Sequence, residues 1–296
     1  MLLPKFDYHA PKTIDEACSI LAHYGAKAKI LAGGTDLLVN LKKKLLSPEQ
    51  IISLKRVEGL KEIDSRNGNG LAIGPLCTAA ELASSELIRG EISVLAQGAG
   101  RLGSPLIRNR ATLGGNVITA RPASDLAPPL LVLGAQVILA GPTGQRRIPL
   151  KKFFLGPGQT QIRGDEILSK IEIPQRRRNS AAAYIKLGTR KTLEIALVNV
   201  ASFLEVADNG SITQARIALG AVAPVPFLAA SASEVLMGVK PKSIDDPVFN
   251  EAAREAAREA QPITDHRGSA EYRRDMVKVL VWRTLTTAFL QLTQKA

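Results

Sequence analysis

The chain has few of the residues from which metal centres are built. Its 296 residues include two cysteines, Cys18 and Cys77, and three histidines. Two cysteines cannot form a four-cysteine zinc or iron–sulfur site. The histidines, His9, His23 and His266, lie too far apart in the sequence to match a metal-ligand spacing. We therefore predict no metal site in this chain, and we interpret Cys18, on the apolar side of a predicted helix, as a buried thiol.

Aromatic residues and long apolar runs are also scarce. The net charge is +12, but aromatic residues make up 4% and offer little for base stacking. We interpret the basic runs Lys42–Lys44 and Arg176–Arg178 as solvated surface, with a docking face for an acidic subunit as the second interpretation. No stretch has membrane-spanning length, and the N-terminus has no long apolar segment. We expect no nucleic-acid binding, no transmembrane segment and a cytoplasmic location.

What is present fits a globular protein of several domains. Hydrophobic residues make up 45% and charged residues 22%, and the length allows two or three cores. Changes in composition and periodicity divide the chain into residues 1–57, 58–176 and 177–296. A basic, polar linker over Gln175–Asn179 separates the second unit from the third.

The first unit is predicted to be a small α/β domain in which helices follow short strands. Thr13 and Glu16 form a capping box before a helix that Gly25 ends. Thr35 is placed to cap a second helix that Pro48 stops. The predicted strands are Lys29–Ala32 and Ile51–Leu54, and the predicted inner face of the second helix is Leu37, Leu38, Leu41 and Leu45.

The second and third units combine strands with helices in different ways. In the second, Thr78 and Glu81 form another capping box, and a turn over Asn67–Gly70 joins two strands. In the third, an antiparallel meander precedes an alanine-rich helix and a long terminal helix. The predicted strands are Leu60–Asp64, Leu71–Gly74, Gln136–Ala140, Arg147–Leu150, Glu166–Ile173, Ala182–Leu187, Val198–Ala207 and Ser211–Leu219.

Two glycine pairs are the first candidates for a binding site. In Ile30–Leu37 an apolar strand runs into Gly33-Gly34 and then into a helix, an arrangement that lets a backbone approach a pyrophosphate closely. In Arg108–Asn116 a second pair stands beside Thr112 and Asn116. Neither pair is specific alone, since glycine before a helix is usually a turn. Together they suggest a long ligand with a central diphosphate.

A third segment, Pro122–Pro128, follows the second glycine pair. Ser124 and Asp125 either cap the next helix or, in the sharper interpretation, Asp125 accepts a hydrogen bond from a bound heterocycle.

These motifs in this order resemble those of the molybdopterin dehydrogenase flavoprotein family. The resemblance rests on Ala32–Asp36, Arg110–Asn116 and Ala123–Pro128, and on Ile263–Arg274, which resembles the start of the family's terminal helix. It implies an α+β fold in which two α/β subdomains of the PCMH type clasp FAD, followed by a C-terminal antiparallel sheet with helices. The cysteine-rich insertion of some relatives is missing here, which excludes that variant.

The resemblance also implies roles for individual residues in binding FAD. The segment Leu31, Ala32, Gly33, Gly34, Thr35, Asp36 and Leu37 would wrap the diphosphate with backbone N–H groups. The other side would be held by Thr112, Gly115 and Asn116. Leu102, where some relatives have an aromatic residue, and Gly103 would line the cofactor channel. Asp125, beside Ser124, would bond the edge of the flavin ring and Leu168 would pack on it. Lys186 either approaches the flavin from the third domain or is a solvent-facing strand residue.

By this resemblance the chain is an electron-transfer subunit with no catalytic acid, base or nucleophile of its own. Molybdopterin and [2Fe–2S] clusters are expected only in a large subunit and an iron–sulfur subunit, assembled with this chain as a dimer of heterotrimers. Electrons would pass through FAD to NAD, oxygen or a quinone-linked acceptor. Two alternatives are a stand-alone FAD-dependent oxidase and a basic nucleic-acid-binding or scaffold protein.

Overall fold

The first domain is a three-stranded parallel sheet with strand order β1-β3-β2. The computed structural model describes residues 3–66, 69–190 and 193–294. The sequence pattern does not predict β1, because Asp7 and Tyr8 are exposed and give no apolar alternation. Thr13 caps α1, and Gly25 ends it, as predicted, but the Glu16 side chain accepts from the N–H of Lys12 and does not close the predicted capping box with Thr13. The elements are β1 (Asp7–His9), α1 (Ile14–Tyr24), β2 (Ala28–Leu31), α2 (Leu37–Lys42) and β3 (Gln50–Ser53).

The predictions for α2 are wrong in two respects. Its first residue follows Asp36, with no side-chain cap from Thr35. The helix ends at Lys42, well before Pro48, because Lys44 takes a left-handed backbone with φ of 57°. So short a helix has no full apolar face: Leu41 is buried, whereas Leu38 and Leu45 are exposed.

The second domain is a five-stranded antiparallel sheet with strand order β4-β5-β10-β6-β7, flanked by short helices. The capping box of Thr78 and Glu81 is confirmed, and Asn67 and Gly68 of the predicted turn lie outside the described residues. The strands of this sheet are β4 (Ile63–Ser65), β5 (Leu71–Ile73), β6 (Gln136–Gly141), β7 (Gly144–Pro149) and β10 (Ile167–Ile173), and β8 (Phe154–Gly156) and β9 (Gln159–Thr160) form a separate two-stranded sheet. The helices are α3 (Ala79–Ser84), α4 (Glu86–Glu91), α5 (Ser93–Arg101), α6 (Pro105–Arg108), α7 (Leu113–Thr119), α8 (Ala127–Val132) and α9 (Leu150–Phe153).

The third domain is the predicted antiparallel meander, with strand order β11-β12-β13-β14, followed by helices. Its last helix begins after Ser269, so Ile263–Ser269 of the tail motif form the turn and cap that precede it. None of the described helices is both long and apolar enough to cross a membrane. The elements are β11 (Ser180–Leu187), β12 (Val198–Val206), β13 (Ile212–Gly220), β14 (Phe227–Leu228), α10 (Ala230–Glu234), α11 (Pro247–Glu259) and α12 (Ala270–Thr293).

Both faces of the third sheet are covered, and this places the two larger domains against each other. Side chains alternate between faces along a strand. On β12, Val200 and Leu204 belong to the core formed with α11 and α12. Ala201 and Phe203 belong to the core of the second domain. The second domain therefore packs directly on one face of the third sheet, and residues that share this face with Ala201 lie at the domain interface.

Candidate functional site

The two glycine pairs border one cavity between the first and second domains. Its volume is about 340 Å³, within the range of small-molecule sites. Ala32 to Leu37 line one side, and Thr112, Gly114, Gly115 and Asn116 line the other. Apolar residues that include Leu102 and Leu168 complete the wall. The structure thus brings together two segments separated by some eighty residues of chain.

Gly33 is where the two segments touch. A Cβ atom at this position would overlap the carbonyl oxygen of Arg110 and lie 2.9 Å from its carbonyl carbon. Both atoms belong to the backbone and cannot rotate away. Gly34 has a different requirement, because its φ of 80° is a left-handed conformation that L side chains rarely adopt. Close approach requires glycine at the first position, and backbone conformation requires it at the second.

The loop after β2 lines this cavity and contains backbone donors without a protein acceptor. The N–H groups of Gly33, Gly34, Thr35 and Asp36 donate no hydrogen bond to any residue that the structure describes. Peptide N–H groups left without partners in a glycine loop form an anion-binding concavity. This loop, rather than the six-residue helix after it, is therefore the part of the first domain that fits a diphosphate.

The second glycine segment is chemically different, because its backbone donors are already used. The N–H of Gly114 donates to the carbonyl of Pro75 at 2.8 Å, and the N–H of Gly115 to the hydroxyl of Thr112 at 3.1 Å. Asn116 instead offers its side chain. Its Oδ1 accepts from the Ser124 hydroxyl at 2.5 Å, whereas its Nδ2 bonds to no described residue and remains a donor at the cavity wall.

A second cavity adjoins the first, with a volume of about 780 Å³. Asp36, Leu102 and Asn116 border both cavities. On its far side the second cavity is lined by the third domain. Two adjoining cavities that share a wall residue with a free amide provide space for an elongated ligand that crosses all three domains.

Asp125 borders the second cavity, and its carboxylate is the centre of a polar network across the domain interface. It accepts from the Tyr184 hydroxyl at 2.8 Å and from Lys186 Nζ at 2.7 Å. Asn199 Nδ2 adds a longer contact at 3.4 Å and also donates to the carbonyl of Ser124 at 3.0 Å. Both oxygens of Asp125 therefore have donors from the third domain. Ser124 accepts from the N–H of Ala127, whereas Asp125 does not cap the helix.

Burial and hydrogen bonding act in opposite directions on this carboxyl group. Burial raises the pKa of Asp125 above its ordinary value, while Lys186, Tyr184 and Asn199 each lower it. Burial, followed by the Asp125 charge, raises the pKa of Tyr184 well above its ordinary value. Tyr184 is therefore protonated at neutral pH and donates its O–H to the carboxylate.

Lys186 is not the solvent-facing residue that one interpretation predicted. Its side chain is 7% exposed, and its ammonium also donates to the carbonyl of Arg101 at 3.1 Å. It shares the inner face of β11 with Ala182 and Tyr184, because side chains two residues apart point to the same side. Lys186 does not border the second cavity itself. It lines a neighbouring groove that shares Gly103 with the second cavity.

The other residues predicted to bind FAD fall into three groups. Leu31 does not reach either cavity wall, and its side chain lies beside Gly34. The first cavity is lined by Ala32, Gly33, Gly34, Thr35, Asp36, Leu37, Leu102, Thr112, Gly115, Asn116 and Leu168. The second is lined by Asp36, Leu102, Gly103, Asn116, Ser124 and Asp125.

The sequence motifs do not point to Tyr184 or Asn199. The signal was present in part: Tyr184 precedes Lys186 by two residues, and Lys186 pairs with Asn199 across strands β11 and β12. The alternation therefore places all three on one face. Recognising their partner required the position of Asp125, which no strand pattern supplies.

Two other predictions concern residues outside the cavities. Cys18 is buried, with its thiol 3.4 Å from the carbonyl of Ala140, and burial raises its pKa to about 11. Arg176 is not solvated surface as predicted: it is half-buried, and burial lowers its pKa. Within the described ranges, no three His, Cys, Asp or Glu side chains are grouped so that they could hold a metal ion.

Comparison with known families assigns both parts of the chain. Residues 4–176 match the profile of the FAD binding domain in molybdopterin dehydrogenase. Residues 183–288 match that of the CO dehydrogenase flavoprotein C-terminal domain. The chain is 32% identical to the carbon monoxide dehydrogenase medium chain of Hydrogenophaga pseudoflava, over 98% of this chain and 99% of that one. It is 33% identical to the nicotine 6-hydroxylase medium subunit of Paenarthrobacter nicotinovorans, over 97% and 99%.

Solved structures give the same result. A carbon monoxide dehydrogenase structure from Hydrogenophaga pseudoflava superimposes with a TM-score of 0.93 at 32% identity, covering 98% of this chain and 99% of that one. Quinoline 2-oxidoreductase from Pseudomonas putida 86 superimposes with a TM-score of 0.90 at 29% identity, covering 99% of each chain. The chain therefore belongs to the FAD-binding flavoprotein family of the molybdopterin dehydrogenases, as an oxidoreductase subunit.

Proposed function

We propose that this chain carries FAD in a heteromeric molybdenum hydroxylase or dehydrogenase, in the cytoplasm. It takes electrons from an iron–sulfur subunit and passes them to NAD, oxygen or a quinone-linked acceptor. The partners would be that subunit and a molybdopterin-binding large subunit, assembled as a dimer of heterotrimers. Relatives that align over nearly the whole chain are medium chains or medium subunits of multi-subunit enzymes, which supports this role.

The observation that carries the proposal is a single cavity lined on one side by a loop whose N–H groups have no described protein acceptor, and on the other side by Asn116. A diphosphate needs several donors and close backbone approach. The loop supplies both, since Gly33 to Asp36 have unused donors and Gly33 has no room for a side chain. Asn116 would donate from the opposite wall. The residues present therefore fit FAD.

The division of the two cavities suggests how the rest of the cofactor would be held. Leu102 borders both cavities, Leu168 the first and Asp125 the second. These three would contact the ring system. FAD, when bound, supplies the ability to accept electrons singly and release them in pairs. The chain's own residues bind it, exclude water from it and set the charge beside it, so we assign no catalytic acid, base or nucleophile.

The two alternative functions have less support. A stand-alone oxidase would need a substrate domain of its own, but residues 183–288 match the flavoprotein C-terminal domain instead. The basic charge does not by itself indicate a nucleic acid, because aromatic residues make up only 4% of the chain and offer little for base stacking.

The experiment is to purify the full chain, release any bound cofactor by denaturation, and identify it by absorbance and chromatography. We expect FAD at about one equivalent. No flavin, even after incubation with added FAD, would refute the proposal. Iron and molybdenum analysis of the complex isolated from its own host tests the partner assignment separately: FAD without either metal would retain the cofactor but reject the heteromer.

A further inference from the structure

Tyr184 is buried where the proposed function assigns it no task. Its hydroxyl donates to Asp125 Oδ1 at 2.8 Å and accepts from Asn199 Nδ2 at 3.2 Å. Asn199 is fully buried, and the Tyr184 side chain lies at the domain interface. Neither residue borders the cavities. Each reaches the second cavity only through Asp125, which does.

The donors to Asp125 are held rigidly from two elements. Lys186 and Asn199 are directly opposed on β11 and β12, so their separation is fixed by the sheet. The N–H of Tyr184 donates to Gln97 Oε1 at 2.9 Å, and Lys186 Nζ donates to the carbonyl of Arg101 at 3.1 Å. These two bonds tie β11 to α5. The carboxylate therefore meets a preformed donor set rather than mobile side chains.

A buried carboxylate is ionised only where its surroundings replace water. Burial alone favours the neutral acid and raises the pKa of Asp125. One cation and two neutral donors oppose that effect. Removing one of these donors leaves the Asp125 carboxylate less well stabilised and therefore favours its protonation. The charge beside the second cavity thus depends on side chains that do not border it.

We propose that Tyr184 and Asn199 are positioning residues that keep Asp125 ionised and oriented at the wall of the second cavity, and thereby set the reduction potential of FAD. The inference rests on the proposed function, because it needs the flavin ring near Asp125. A negative charge disfavours the electron-rich reduced ring. Removing that charge, directly at Asp125 or indirectly at Tyr184, raises the potential in both cases.

The test compares the full chain loaded with FAD and three variants: Asp125→Asn, Tyr184→Phe and the two combined. The reduction midpoint of bound FAD is measured against a reference dye at fixed pH. For Asp125→Asn we expect the equilibrium constant for reduction to rise roughly tenfold, about 30 mV for a two-electron couple. Tyr184→Phe is expected to give roughly a threefold rise, and no further shift when added to Asp125→Asn.

Ser202→Ala is the matched control for loss of a buried hydrogen bond on the same sheet. Ser202 bonds to Thr284 at 2.7 Å on the opposite face. Its loss should lower the melting temperature and leave the potential unchanged. If Tyr184→Phe behaves like this control, or shifts the potential downward, or adds to Asp125→Asn, the positioning role is overturned.

Failure of the inference and failure of the proposed function give different results. Absence of FAD from the parent chain refutes the proposed function. An unchanged potential in Asp125→Asn with FAD retained rejects the placement of Asp125 beside the ring, and the inference with it. Should Tyr184→Phe not fold, Asn199→Ala removes the second donor and gives the same comparison, with an upward shift supporting the role and no shift opposing it.

Discussion

The carbonyl oxygen of Arg110 occupies the space that a side chain on Gly33 would need. The contact joins the first glycine loop to the segment that leads into the second. Both partners are backbone atoms, so the distance between the two walls of the first cavity is fixed by main chain. Any enlargement at position 33 must separate the walls.

Gly33→Ala should therefore weaken FAD binding by about 10- to 100-fold. Forcing extra atoms into packed structure costs about 1–3 kcal/mol, and here the displaced atoms belong to the binding loop itself. FAD affinity would be measured by fluorescence titration of the apoprotein. Gly90→Ala is the control, because a Cβ at that helical position meets no atom within 4 Å. Equal affinity in the two variants would contradict the packing argument.

Asn116→Asp tests the donor on the opposite wall. The substitution keeps an oxygen for the Ser124 hydroxyl but replaces Nδ2 with a carboxylate oxygen facing the proposed diphosphate. Loss of a donor to a charged group costs about 1.5–3 kcal/mol, so affinity should fall at least tenfold. Higher salt should recover part of the loss, because it screens the new repulsion. An unchanged affinity would show that Asn116 does not face the diphosphate.

The sequence could predict the glycine loops, because their requirement is local. Close approach at Gly33 and a left-handed backbone at Gly34 both demand glycine, and this leaves a visible pattern. It could also predict the meander, since the turn residues Asp208-Asn209-Gly210 stand between two apolar runs. The prediction for α2 failed because leucine spacing resembles a helical face even where Lys44 ends the helix after six residues.

The network around Asp125 could not be predicted in the same way. Tyr184 lies 59 residues from Asp125 and Asn199 lies 74 residues from it. The contact exists because one face of the third sheet packs on the second domain. The resemblance drew attention to Asp125 and Lys186, but it did not indicate that they bond to each other.

Asp265, Arg267 and Arg273 form a cluster of ion pairs at the start of α12, called the clamp below. Substitutions of Asp265 and Arg273 should cost different amounts of folding free energy. Asp265 bonds to Arg273 at 2.7 Å and to Arg267 at 2.6 Å. The Arg273 side chain is 2% exposed and also donates to the carbonyl of Leu197. Asp265→Asn leaves this buried cation without its carboxylate and should cost about 3–5 kcal/mol. Arg273→Met should cost less, about 1–3 kcal/mol, because Asp265 keeps Arg267.

Urea denaturation with saturating FAD would measure the free energy of unfolding of Asp265→Asn and Arg273→Met. Asp275→Asn serves as the control, since its exposed pair with Lys278 on the same helix should contribute less than about 1 kcal/mol. A larger loss for Arg273→Met than for Asp265→Asn would show that the carbonyl contacts, and not the ion pair, hold the clamp.

Glu166 should give stability a dependence on acid pH. Its carboxylate accepts from Arg146 Nε at 2.6 Å and Nη2 at 2.8 Å, and from the N–H of Arg163 at 2.7 Å. The hydrogen bond from Arg146 is the main cause that lowers the pKa of Glu166 in the folded protein, and the hydrogen bond from the backbone N–H of Arg163 lowers it further. The unfolded chain has the ordinary value of about 4.3. A group whose pKa is depressed by folding stabilises the protein fully above its unfolded pKa. That contribution is lost as the pH falls through the folded value.

Glu166→Gln removes this titration while keeping the shape of the side chain. We expect the variant to be less stable by about 2 kcal/mol at pH 7. The difference from the parent chain should shrink steadily below about pH 4.3. Asp265 also has a lowered pKa, but it is present in both proteins and cancels in the comparison. Because Glu166 immediately precedes Ile167 and Leu168 at the wall of the first cavity, FAD affinity should fall over the same range of pH. A stability difference that stayed constant from pH 7 to pH 3 would mean that folding does not lower the pKa of Glu166.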